Sequence, residues 1–247
     1  NYLQLRERAY RFANAIRSLG IVKGDRVAIM LPNCPDAVAA YFGTLLAGAV
    51  VVQTNPLYQP HELKAQLGDS GALLIVTLDQ LYPRVAAALP HTRIQHVLVT
   101  SVAEQLPWPK GWLYRLKLKR DNQHVEVPYT EKVLPLKAQL ASAKPDPVYT
   151  EVDAKRDLAA LQYTGGTTGA AKGAMLTHYN LTVNTLQNAL WFYKSEPGRE
   201  RFLAALPLFH AFGLTVTMNQ SAHLAAEMIL LPRFEPGTVL RTIHKRR

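Results

Sequence analysis

The residues with the clearest chemical content stand in one run, Leu161-Gln162-Tyr163-Thr164-Gly165-Gly166-Thr167-Thr168-Gly169-Ala170-Ala171-Lys172-Gly173. Four glycines in nine residues let the backbone turn sharply and come close to a ligand. N–H groups opened by such a loop bind anions, the hydroxyls of Thr164, Thr167 and Thr168 add donors, and Lys172 adds a full positive charge. The set suits a polyphosphate. It is not a Walker A loop, which needs G-x-x-x-x-G-K followed by Ser or Thr, whereas Lys172 stands between Ala171 and Gly173.

Two other reactive side chains read as structural. His178 follows Thr177, a helix N-cap by type, and so marks a helix start. Cys34 stands beside Pro35 ahead of an apolar stretch with no base near it in sequence, so it reads as buried packing and not as a nucleophile. The segment Leu106–Arg120 carries five positive and no negative charges together with Trp108, Trp112 and Tyr114. Basic residues interleaved with large aromatics fit an interfacial contact with anionic lipid; they fit equally a solvated basic excursion packed by its own aromatics.

The elements that must position these groups follow from periodicity. Leu5, Ala9, Phe12, Ile16 and Leu19 trace one helical face, and Gly20 supplies the usual residue past a helix end. A strand at Arg26–Met30, a turn at Leu31-Pro32-Asn33, a helix from about Pro35 to Ala47 and a strand Val50–Val52 follow. The uncharged run from Ala37 to Val52 is shorter than the roughly 20 apolar residues of a bilayer crossing, and reads as a buried helix entering a buried strand. Helices through His61–Lys64 and Asp79–Leu89 alternate with strands Leu73–Val76 and His96–Thr100. The alternation breaks in a proline-rich region, residues 104–152. It returns with strand Ala159–Tyr163, a helix from about Thr177 to Tyr193, strand Phe202–Ala205, a helix after Phe212, strand Met228–Leu231 and a last helix from about Glu235. The expected architecture is layered α/β with mostly parallel strands flanked by helices. The expected divisions are 1–103, 104–152 as a connection, and 153–247 carrying the glycine-rich loop, which is expected to join a strand to a helix.

Composition agrees with a folded, core-forming chain: of 247 residues 48% are hydrophobic and 19% charged, which excludes disordered and fibrous classes. Lys and Arg exceed Asp and Glu by 28 to 18, a net charge of +10. No zinc, helix-turn-helix or RNA-recognition signature accompanies that charge, so nucleic acid is not the expected partner. One cysteine excludes an internal disulfide and fits a reducing cytoplasm. The chain opens at Asn1 without a basic or apolar leader, and its start reads as trimmed.

The glycine-rich run and its continuation Ala174-Met175-Leu176-Thr177-His178-Tyr179-Asn180-Leu181 resemble the signature loop and following helix of adenylate-forming acyl-CoA synthetases. Lys23–Asn33, Ala47-Gly48-Ala49-Val50-Val51 with Asn55-Pro56, and Leu206-Pro207-Leu208-Phe209-His210-Ala211-Phe212-Gly213 resemble further blocks of the family. They stand in the order and spacing of bacterial long-chain fatty acid–CoA ligases, over essentially the whole chain. Ala171 departs from the proline usual before the loop lysine.

The resemblance implies ATP-dependent activation of a long-chain fatty acid, first to an acyl-adenylate and then, with coenzyme A, to acyl-CoA. Because the nucleophiles come from the substrates, the protein's part is positional and electrostatic. It implies Lys172 and His210 as catalytic groups, with Thr164, Gly165, Gly166, Thr167, Thr168, Gly169, Lys172 and Gly173 around ATP and Thr164 on the Mg²⁺ side. His210 would lie near the acyl carboxylate; a core histidine bonded to backbone is the other reading. The family's later acidic, aspartate and lysine blocks have no counterpart after Gly213. The chain therefore resembles an N-terminal half, inactive alone, with a non-catalytic nucleotide- or acyl-binding module as the alternative. Strands left unpaired by such a half would expose an apolar surface and favour a homodimer. A peripheral place on the inner face of a membrane is the companion expectation.

Overall fold

The computed structural model describes residues 1–164 and 171–246. Helix α1 (Tyr2–Ser18) starts at a capping box in which Asn1 and Gln4 bond reciprocally, and it ends before Gly20 at φ +87°. Strand β1 (Arg26–Met30), helix α2 (Pro35–Leu46) and strand β2 (Val50–Gln53) follow, then α3 (Pro60–Ser70), β3 (Leu74–Leu78), α4 (Tyr82–Ala88) and β4 (His96–Thr100). The apolar run from Ala37 is thus a buried helix leading into a buried strand. Gly43 makes this possible: a Cβ there would lie 2.7 Å from the Ala9 carbonyl oxygen and 2.8 Å from the Phe12 ring, so α1 and α2 touch backbone to backbone.

The proline-rich region holds more structure than its periodicity indicates. It contains α5 (Val102–Gln105), α6 (Lys110–Arg120), β5 (Val133–Pro135) and α7 (Leu136–Ser142). The three-residue β5 and the single turn of α5 are too short to leave a period in the sequence. Among the described residues β1 to β5 and β6 (Leu158–Thr164) run parallel, and β7 (Lys172–Thr177) closes one edge antiparallel, in the order β5-β4-β3-β1-β2-β6-β7. Helices α1, α2 and α7 cover one face through Phe12, Ile16, Tyr41, Leu136 and Leu140. Helices α3 and α4 cover the other through Leu63, Leu67, Tyr82 and Val85.

Two expectations need correction. The glycine-rich loop joins a strand to a strand: Lys172 begins β7, and Ala174–Thr177 lie in it, not in a helix. The stretch Gly173-Ala174-Met175-Leu176 shows neither period clearly, and tertiary pairing with β6 decides it. Helix α8 (His178–Trp191) starts where Thr177 accepts the Asn180 N–H. The helix after Phe212 opens as a π-helix, Gly213–Asn219, and continues as α9 (Gln220–His223). Strands β8 (Arg201–Ala204) and β9 (Glu227–Leu230) form a second, two-stranded parallel sheet, and α10 (Pro236–Lys245) follows.

Candidate functional site

The carboxyl ends of parallel strands are where α/β sheets place their ligand loops, and here the candidate residues gather at the end of β6. Successive residues of a strand point to opposite faces. Gln162 and Thr164 share one face and Tyr163 takes the other. On the Tyr163 side, the phenol donates to Asp69 Oδ2 of α3 at 2.5 Å; burial, with the adjacent carboxylate, drives its pKa well above the ordinary tyrosine range. Its ring lies against Gly173, where an added Cβ would come within 3.0 Å of Tyr163 Cζ. The Tyr163 ring therefore packs tightly on Gly173, the residue after Lys172.

Thr164 and Lys172 are direct partners across β6 and β7. Directly opposed residues project from the same face, so the hydroxyl and the ammonium stand together at the mouth of the loop. Both are exposed, and Lys172 forms no ion pair with a described residue. Gly165, Gly166, Thr167, Thr168 and Gly169 lie outside the described residues.

On the Gln162 side, the strand reaches the segment bearing His210. Gln162 Nε2 donates to the Phe209 carbonyl at 3.0 Å. Asn33, just past β1 and 4% exposed, holds the same segment with its whole side chain. Its Nδ2 donates to the carbonyls of Ala204 and Leu206 at 2.8 Å each, and its Oδ1 accepts the Leu208 N–H at 2.8 Å. The turn then tightens: the His210 N–H bonds to the Pro207 carbonyl, and the Leu214 N–H to the His210 carbonyl. Gly213 passes so close to Pro207 that a Cβ would fall 2.2 Å from its carbonyl oxygen. His210 itself is exposed, its ring tilted 40° against Phe209 with centroids 4.6 Å apart. The core-histidine reading does not hold.

The remaining reactive groups behave as packing. Burial pushes the Cys34 thiol up to about 12. His178 starts α8, and burial holds its pKa below the ordinary value. An apolar cavity of about 460 Å³ between α1, α2 and β9, lined by Tyr2, Leu5, Val38 and Met228 among others, shares no residue with the β6 site.

The family model for AMP-binding enzymes matches residues 1–247, the whole chain. The chain belongs to the AMP-binding enzyme family. A long-chain-fatty-acid–CoA ligase of Bacillus subtilis is 44% identical over 238 residues, covering 96% of this chain and 42% of that protein. A long-chain-fatty-acid–CoA ligase of Escherichia coli O157:H7 is 40% identical, with 96% and 43% covered. Among solved structures, the long-chain-fatty-acid–CoA ligase of Archaeoglobus fulgidus superimposes with a TM-score of 0.81 at 26% identity, over 99% of this chain and 43% of that one. The chain thus spans less than half the length of these relatives.

Within this AMP-binding enzyme domain the structure unites what the sequence shows as two blocks, since one strand, β6, carries Thr164 and anchors the His210 segment two residues earlier. Asn33, Gln162, Tyr163 and Asp69 escape sequence reading. Leu31-Pro32-Asn33 looks like an ordinary turn, and the partner of Asn33 at Ala204 is 171 residues away. For Gln162 a signal exists: a polar residue inside an otherwise apolar strand must find a buried partner.

Proposed function

We propose that the chain is the ATP- and acyl-binding part of a longer enzyme that activates a long-chain fatty acid to its adenylate and then to acyl-CoA. The observation that carries this reading is the common anchorage at the end of β6: Thr164 and Lys172 face one way beside Gln162, which holds the turn of His210. A triphosphate at the loop mouth and a carboxylate beside His210 would then meet on one face of the sheet, the arrangement that attack on an α-phosphorus requires. MatB of Rhodopseudomonas palustris, whose structure with ATP bound superimposes with a TM-score of 0.77 at 28% identity, supports ATP as the nucleotide.

In this reading Lys172 neutralises phosphate charge in a fixed place. His210 orients the acyl carboxylate from an exposed turn, and coenzyme A accepts the acyl group. Mg²⁺ is assigned no step. Among the described residues no three His, Cys, Asp or Glu side chains converge to hold a metal, and Thr164 offers a single hydroxyl beside ATP. The chain 1–247 alone is inactive in this reading, and Met175, Leu190, Trp191 and Tyr193, all exposed, favour its self-association.

The test is ATP–pyrophosphate exchange by the full-length protein across a panel of fatty acids. Lys172→Ala should lower exchange by roughly a hundredfold, the scale of losing one preorganised charge contact, with an unchanged unfolding midpoint. Unchanged exchange, or acyl-CoA formation by residues 1–247 alone, overturns the reading.

A further inference from the structure

Helix α6 has two apolar faces, and the fold uses one. Inward, Gly111 packs so closely on α5 that a Cβ would lie 2.3 Å from the Ala103 carbonyl oxygen, and Leu118 is buried. Outward, at the i, i+3 and i+4 spacing of a single helical stripe, Trp112, Leu113 and Leu116 are 58%, 52% and 45% exposed. Trp108, in the turn before the helix, is 88% exposed. No packing requirement of this domain explains four large apolar side chains in water on one short segment.

The charges within the helix have one sign. Helix α6 holds Lys110, Arg115, Lys117, Lys119 and Arg120 and no acidic residue. Two of them are met locally, Arg115 by Glu104 at 3.5 Å and Arg120 by Asp121 at 3.1 Å. Lys110, Lys117 and Lys119 are exposed and pair with no described carboxylate. Exposed apolar side chains beside three lysines without a described partner match a surface that is anionic outside and apolar just beneath. A nucleic acid would use the charges and leave the stripe without a partner. Helix α6, 11 residues long, is too short to cross a bilayer, so its own contact would lie at the surface.

We propose that the outward face of α6 docks on an anionic lipid bilayer, with Trp112, Leu113 and Leu116 entering the headgroup layer and Lys110, Lys117 and Lys119 binding the lipid anions. This stands on α6 alone and is independent of the ligase reading.

Vesicle flotation tests it, using phosphatidylcholine alone and an equal mixture of phosphatidylcholine and phosphatidylglycerol. The protein should float with the mixed vesicles, less at high salt, and stay behind with the neutral ones. The triple variant Lys110→Gln, Lys117→Gln, Lys119→Gln should partition about a hundredfold more weakly, at the strength of one surface cation each. Removing the same charge elsewhere, with Lys64→Gln, Lys137→Gln and Lys155→Gln, should change partitioning only a few-fold. In a Trp191→Phe background, Trp108 and Trp112 emission should shift to the blue with mixed vesicles. Equal flotation with neutral vesicles, equal loss in the two triple variants, or undiminished binding by Trp112→Ser, Leu116→Ser would each overturn the proposal. So would a stable dimer that hides Trp112 from an aqueous quencher without lipid.

Discussion

Asn33 accepts the Leu208 N–H at 2.8 Å across 175 residues of chain, and the same side chain donates to carbonyls on either side of Ala205. One amide thus fixes the segment between β8 and His210 against the end of β1. Asn33→Ala would leave a buried N–H and two carbonyls to find other partners. The expected cost is about 2–3 kcal/mol, read from urea unfolding, with Asn33→Asp close behind because it keeps the acceptor and loses both donors. A loss under about 0.5 kcal/mol in both variants would show that the clamp carries no stability.

Gly213 and Gly237 give a matched pair. A Cβ at Gly213 meets backbone, the Pro207 carbonyl at 2.2 Å, whereas at Gly237 its nearest neighbour is the Arg241 side chain at 3.5 Å. Gly213→Ala should destabilise by about 1–3 kcal/mol through forced backbone movement. Gly237→Ala, in the first turn of α10, should be neutral or slightly stabilising. Thermal unfolding of the two variants checks the contrast, and equal midpoints would contradict it.

The pH response follows from His178. Burial lowers its pKa from the ordinary 6.5, with Asp157 opposing and Lys23 adding to the shift. The unfolded chain therefore takes up a proton below about 6.5 while the folded one still resists it, so stability falls as pH drops through that window. Asp157, held below the ordinary carboxylate value of 3.8 by Lys23, adds a loss of the same sign at lower pH. His178→Gln should flatten the upper part of the curve between pH 7 and 5. A wild-type midpoint that does not move over that range would refute the assignment.

Cys34 should be silent to thiol reagents in the native state, being buried with its pKa pushed up to about 12. Labelling by an aromatic disulfide should keep pace with global unfolding across a denaturant series. Fast labelling without denaturant would show that the start of α2 opens locally.

Where side chains repeat with a clear period, the fold is legible in the residues. The helical stripe of α1 and the Thr177 cap appear as read, and the buried strand read at Val50–Val52 runs one residue further, to Gln53. Two kinds of feature stay hidden. Strand β7 has a mixed local preference, and only its pairing partner β6 decides it. Strand β5, three residues long, is made a strand by an available edge on β4. In the site, the glycine and threonine content of residues 164–173 reads as a phosphate-binding loop, and the histidine block is found only through its resemblance to a family signature. That both hang from β6 depends on Gln162 and Asn33, whose bonds reach distant backbone and leave no pattern in sequence.

The strand order also sets a schedule. Strand β2 pairs on one side with β1, close to it in sequence, and on the other only with β6, which follows after roughly a hundred further residues. At a synthesis rate of about 5–20 residues per second, the backbone edge of Val50, Val51 and Val52 therefore waits several seconds for its neighbour. For that interval it is an apolar strand with open hydrogen-bonding groups, the state in which chains most readily pair with the wrong partner. The arrival of β6 closes that edge, so the strand that gathers the candidate site also ends the nascent chain's period of exposure.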